Sequence, residues 1–143
     1  MQRGLVIFFV SLLAFAVATP TTARAGVKVA INVKSQTMDV YVGGQLARRW
    51  RVSTGRSGFS TPGGSYGVTR TEKRWYSRKY GNAPMPNAVF FSGGYAIHGT
   101  TEVGNLGRRA SHGCVRLHPS NAAELYSLVA YYGRSRTRIS IRN

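Results

Sequence analysis

Apolar side chains recur at every second position from Val27: Val27, Val29, Ile31 and Val33 alternate with Lys28, Ala30 and Asn32. That period belongs to a half-buried β-strand with one face in a core and the other in water. Met38, Val40 and Val42 repeat it. Gly43-Gly44 then tolerates the positive φ of a tight hairpin, and Leu46, Trp50 and Val52 return along a third strand whose other face carries Arg49 and Arg51. The pattern predicts an antiparallel β-meander.

From Ser53 to Gly67 the alternation stops, and "STGRSGFSTPGGSYG" reads as a loop with turns at Thr61-Pro62-Gly63-Gly64. A strand resumes near Tyr66 to Thr69. Arg70 to Pro86 is basic, aromatic and aperiodic, with Trp75, Tyr76 and Tyr80 among arginines and lysines. A structureless stretch of this length inside a compact domain is usually functional. Ala88 to Phe91 and Tyr95 to His98 are short apolar strands separated by Gly93-Gly94. If 114 to 118 is extended, Cys114, Arg116 and His118 face one way while Val115 and Leu117 enter the core.

The helical period appears once. Leu125, Leu128, Val129 and Tyr132 share a face of a segment from Pro119 or Ser120 to Tyr132, with proline in the first turn and Gly133 just past the end. Arg138 to Ile141 closes the chain as a strand. The fold class is mostly β, with one short helix after the cysteine.

The chain start changes the picture. Arg3, an apolar run from Leu5 to Ala18 and the small-x-small site Ala23-Arg24-Ala25 describe a secretory signal peptide over residues 1–25, leaving 26–143 as one domain. An uncleaved anchor is the competing reading, but the run has no stop-transfer flank. The expected location is the periplasm or cell envelope. The formal net charge of +16 falls to +14 without Arg3 and Arg24. In the cytosol such a balance would point to nucleic acid. Export excludes that partner and leaves anionic envelope surfaces. Simple solubility accounts for part of the charge as well.

Export also sharpens the question of Cys114, the single cysteine, set in "ASHGCVRL". One cysteine cannot form an internal bridge, so the thiol is inert, bridged between molecules, or reactive. A reactive thiol needs a base, nearby positive charge and donors for an oxyanion. His98 and His112 are both candidate bases, and Arg116 on the strand face of Cys114 would favour the thiolate. Gly113 permits a backbone angle at which successive amides converge. A metal site built from His112, Cys114 and His118 is disfavoured, because the paired-cysteine spacing of such sites is missing and only three ligands cluster. His118, just before Pro119, borders the helix.

"IHGT" at Ile97 to Thr100 followed by "SHGCVR" at Ser111 to Arg116 resembles the signature of the L,D-transpeptidase (YkuD-like) catalytic domain family. "VSTG" at Val52 to Gly55 and "TPGGSY" at Thr61 to Tyr66 extend the likeness over about 27–141. The resemblance implies a curled sheet or β-sandwich and no cofactor. It implies Cys114 as nucleophile, His98 as general base and acid, and the Gly99 carbonyl as the group that orients the imidazole. It places the amides of His112, Gly113 and Cys114 in the oxyanion hole, with Ser111 and the His112 side chain supporting the turn; Arg116 has no fixed role. The implied substrates are peptidoglycan stem peptides: a thioester on the third residue, release of D-alanine, then transfer to an amine of a second stem or of an outer-membrane protein. The 70–86 segment falls at a variable lid, where arginines could meet stem carboxylates and Trp75, Tyr76 and Tyr80 could wall the groove or simply pack it. A carboxypeptidase or hydrolase using the same acyl-enzyme, and a non-catalytic basic envelope-binding protein, are the alternatives.

Overall fold

The computed structural model describes residues 25–143, so the expected signal peptide lies outside the described residues except for Ala25. Strands β1 (Val27–Asn32), β2 (Thr37–Val42) and β3 (Gln45–Arg51) form the expected meander. Both Gly43 and Gly44 have positive φ, 59° and 83°, the requirement of a two-residue hairpin whose twist matches its strands. They are followed by β4 (Gly64–Gly67) and β5 (Arg70–Glu72), then β6 (Tyr76–Ser77) and β7 (Ala83–Pro84). The remaining elements are β8 (Ala88–Ser92), β9 (Tyr95–Gly99), β10 (Val115–Leu117), helix α1 (Pro119–Tyr132) and β11 (Thr137–Arg142).

Two sheets face each other. One has the order β3-β2-β1-β11-β4 and the other β10-β9-β8-β5; the pairs β1–β11 and β9–β10 are parallel. Val29, Ile31, Met38, Val40, Ile139 and Ile141 of the first sheet meet Val89, Ile97, Val115 and Leu117 of the second in one core. Helix α1 closes it with Ala122, Leu125 and Val129, while Leu128 and Tyr132 are half-buried at its margin. Burying each of the larger aliphatic side chains stabilises by about 1.5–3 kcal/mol, so the shared core is what holds the sheets together.

The four-stranded sheet is covered on both faces. Its far side carries a second apolar cluster of Met85, Ala88, Phe90 and Ala96, against which Cys114 packs. The cover comes from residues 70–86, and here the expectation of an unstructured loop is corrected. The segment contributes β5 to the sheet edge, then the β6–β7 hairpin and a 3-10 turn at Arg78–Tyr80. Its pairs are too short to show a period in the sequence.

Leu46 is the second correction. It is 50% exposed. Tyr41 pairs with Leu46 but Val40 pairs with Arg48, so Ala47 is an extra residue. Such a bulge flips the inside–outside phase along the strand. Trp50 stays inside at 9% exposure, and Leu46 turns out beside Tyr41.

Candidate active site

Alternation along β10 decides where the cysteine goes. Val115 and Leu117 point into the main core, so Cys114 and Arg116 turn to the opposite face, beneath the 70–86 cover. Parallel pairing sets Arg116 opposite His98. All three line one cavity of about 300 Å³, together with Glu102 and Tyr80. His118 does not join them. The strand ends at Leu117, Pro119 turns the chain into α1, and the His118 ring caps the helix by accepting the Ser120 N–H at 3.3 Å.

His98 is buried at 6% exposure, and its Nδ1 lies 2.7 Å from the Gly99 carbonyl oxygen. A carbonyl only accepts, so Nδ1 carries the proton and the lone pair sits on Nε2. Burial lowers the His98 pKa to about 4; the Gly99 hydrogen bond opposes this and the Arg116 charge adds to it. Cys114 moves the other way. Burial pushes its thiol above the ordinary value, against the opposing pull of the Ala96 backbone N–H and of Arg116. Arg116 favours the thiolate, as its place on the strand face predicts, but desolvation outweighs it. Arg116 is also partly neutralised, with Nη1 2.9 Å from Glu102 Oε2. The resting pair is a neutral thiol and a neutral imidazole.

The turn before the cysteine is built from short bonds. Gly113 has φ +112°, and a Cβ there would stand 2.5 Å from Tyr95 Cε1, so neither the conformation nor the space admits a side chain. Ser111 Oγ accepts the Gly113 N–H at 3.0 Å and donates to the Cys114 carbonyl at 2.6 Å. This revises the expected three-amide oxyanion hole. The Gly113 amide closes the turn, whereas the amides of His112 and Cys114 have no acceptor among the described residues.

His112 also lines the cavity at Cys114. Its ring stacks on Tyr80 with centroids 4.2 Å apart and meets Phe59 edge-on at 4.8 Å. Arg56 Nη2 is 3.0 Å from His112 Nε2. A guanidinium can only donate, so that nitrogen's lone pair is occupied. Partial burial and the Arg56 charge hold His112 below its ordinary pKa. Of the two histidines, His98 alone is left with a lone pair for the thiol's proton.

Several supporting residues were not singled out by the sequence. Thr61 Oγ1 donates to the Gly113 carbonyl at 2.8 Å and accepts the Gly55 N–H at 2.9 Å. The Thr54 carbonyl accepts the N–H groups of Ala110 and Ser111. Buried Gln36 grips Thr54 in turn: its Nε2 donates to Thr54 Oγ1 and to the Val33 carbonyl, and its Oε1 accepts the Thr54 N–H at 2.9 Å. Thr54 and Thr61 lie in "VSTG" and "TPGG", so a signal was present for them; Gln36, polar and in a turn, had none. Of the lid aromatics, Trp75 and Tyr80 line a cavity beside Cys114, and Trp75 also packs edge-on against Phe90 at 5.8 Å. Tyr76 is 57% exposed and lines neither cavity at Cys114. Among the described residues no three histidine, cysteine, aspartate or glutamate side chains converge on a possible metal position.

A buried histidine with a fixed tautomer, a thiol and two unengaged amides at a glycine turn have the chemistry of a thiol-dependent acyl-transfer site on a β-sandwich. The family model of the YkuD L,D-transpeptidase catalytic domain matches residues 26–141, and the chain belongs to that family. YkuD of Bacillus licheniformis is 25% identical over 121 residues, 80% of this chain and 64% of that protein. The L,D-transpeptidase from Mycobacterium smegmatis superposes with a TM-score of 0.73 at 27% identity, over 83% of this chain and 59% of that one. An L,D-transpeptidase from Stackebrandtia nassauensis gives 0.73 at 27% identity, over 86% and 58%. The chain thus spans less than two thirds of each of these relatives. The described residues form a mostly β fold with one α-helix, the fold of these structures.

Proposed function

We propose that the protein is a peptidoglycan L,D-transpeptidase, exported to the periplasm or cell envelope. One observation carries the reading: on this family's catalytic domain, the thiol shares a cavity with a buried histidine whose tautomer leaves Nε2 as the acceptor. His98 takes the thiol proton as Sγ bonds to the carbonyl carbon at the L centre of the third residue of a tetrapeptide stem. The His112 and Cys114 amides bind the oxyanion. Collapse breaks the C–N bond, and the proton on His98 passes to the departing D-alanine amine. An acceptor amine then attacks the thioester and loses a proton to His98. The C–S bond breaks, and the thiolate recovers that proton.

The acceptor is an amine of a second stem, giving a 3→3 cross-link, or of an outer-membrane protein. The basic surface holds the domain on the anionic envelope. Incubation with tetrapeptide muropeptides is the test: intact-mass spectrometry should find the tripeptide thioester on Cys114 with release of D-alanine, and Cys114→Ala should form no adduct. Equal activity in Cys114→Ala would sink the mechanism. A tripeptide as the sole product would favour a carboxypeptidase, and no adduct with the native protein a binding role.

A further inference from the structure

Two cavities meet at Cys114, and their charges differ. The one holding His98 contains the paired Arg116 and Glu102. The second, about 430 Å³, runs beneath the 70–86 cover and is lined by Arg70, Arg78 and Lys79 with no carboxylate. Arg78 and Lys79 sit on an exposed 3-10 turn. Arg70 is held on β5, paired to β8 with Phe90 opposite.

Its guanidinium is fixed by two rings. The central carbon lies 3.5 Å from the Phe90 ring centroid and 4.3 Å from that of Trp75, and the two rings stand nearly perpendicular at 84°. An arginine so stacked loses little freedom when it binds, and its planar fork matches a carboxylate. The one competing contact is Nη1 to Glu72 Oε1 at 3.2 Å, between half-exposed side chains, a pairing of small worth. The other guanidinium N–H groups have no acceptor among the described residues.

We propose that Arg70 anchors a substrate carboxylate in the second cavity at Cys114, the one His98 does not line. The inference rests on the transpeptidase reading. That chemistry offers two sources of the carboxylate: the leaving residue, one peptide unit from the scissile carbonyl, or the acceptor stem. Arg70 would set the direction in which a stem lies across the thiol.

Stems with a free or an amidated terminal carboxylate, offered separately as donor and as acceptor, test this in the native protein, Arg70→Met and Arg70→Lys. Charged hydrogen bonds of this kind carry roughly tenfold or more in affinity. Arg70→Met should therefore raise KM about tenfold for the free form with kcat within about twofold, and react with the amidated form as the native protein does. Arg70→Lys should restore part of the loss. A shift in thioester formation assigns the carboxylate to the donor; a shift only in the ratio of dimer to tripeptide assigns it to the acceptor.

Binding of the free and amidated peptides to Cys114→Ala, with and without Arg70→Met, reads the anchor without turnover, so it separates this inference from failure of the transpeptidase reading. Equal affinities across that set would overturn the inference. So would equal losses on free and amidated peptides, or an iodoacetamide rate at Cys114 that falls in step with turnover in Arg70→Met.

Discussion

At His98 the folded chain disfavours a proton that the unfolded chain accepts. The imidazole titrates near 4 when folded and near 6.5 when free. Between those values the unfolded state binds more protons, so stability is full above pH 6.5 and is lost as pH falls toward 4. The gap corresponds to roughly 3 kcal/mol, at about 1.36 kcal/mol per pH unit for one proton. His98→Gln should therefore lose less stability than the native protein between pH 7 and 4, which urea midpoints at several pH values would register. An equal acid loss in both would show that His98 is not the group responsible. The raised thiol has a kinetic counterpart: alkylation of Cys114 should be slow at neutral pH and climb into the alkaline range, because the resting pair is neutral. Spacing alone left both His98 and His112 as candidate bases, and only the family resemblance chose His98 with the Gly99 carbonyl behind it. What separates them is an Arg56 hydrogen bond and a Gly99 carbonyl, neither of which can be inferred from spacing.

Elements with a clean period were legible. The alternation from Val27 to Val42 and the spacing of Leu125, Leu128, Val129 and Tyr132 named the strands and helix that the structure contains. Ala122 was missed on the helix face because a small residue carries little weight in a pattern, although it is buried at 1% exposure. The third strand misled because one extra residue, Ala47, inverts the phase without altering local composition. The two-residue strands β6 and β7 are shorter than any period that could reveal them. Gln36 is the most instructive case. With φ +55° in the β1–β2 turn it looks like a solvent residue, yet it is 4% exposed and ties that turn to Thr54, and through Thr54 to Ser111. Gln36→Leu should strand the Thr54 N–H and hydroxyl at about 1–3 kcal/mol for each orphaned group. Leu46→Lys on the outer face should stay within about 0.5 kcal/mol. Denaturant midpoints check both, and similar midpoints for the two variants would refute the role given to Gln36.

Across the whole molecule, basic residues stand on both sides, around Cys114 and on the sheet face away from it. The outer face of the five-stranded sheet carries Lys28, Arg49 and Arg142 around a shallow depression, and its Asp39 is held by Arg49 at 2.6 Å. The core separates that face from Cys114. If this face supplies the envelope contact, binding to isolated sacculi should weaken steeply toward half-molar salt, where the screening length is about 4 Å. Replacing Lys28, Arg49 and Arg142 by glutamate should weaken binding at low salt and leave the alkylation rate of Cys114 unchanged. Salt-insensitive binding would remove electrostatics from the account. The order of the same sheet carries a different consequence. Strand β11 lies between β1 and β4, and its parallel partner β1 is separated from it in sequence by nearly the whole domain. As the chain emerges from a ribosome or a translocation pore, the β1–β2–β3 meander must wait with one flank of β1 unpaired, and it closes only when residues 137–142 arrive. The five-stranded sheet cannot be completed before its final strand is made, and during that interval the open flank of β1 is most exposed to mispairing with a neighbouring chain.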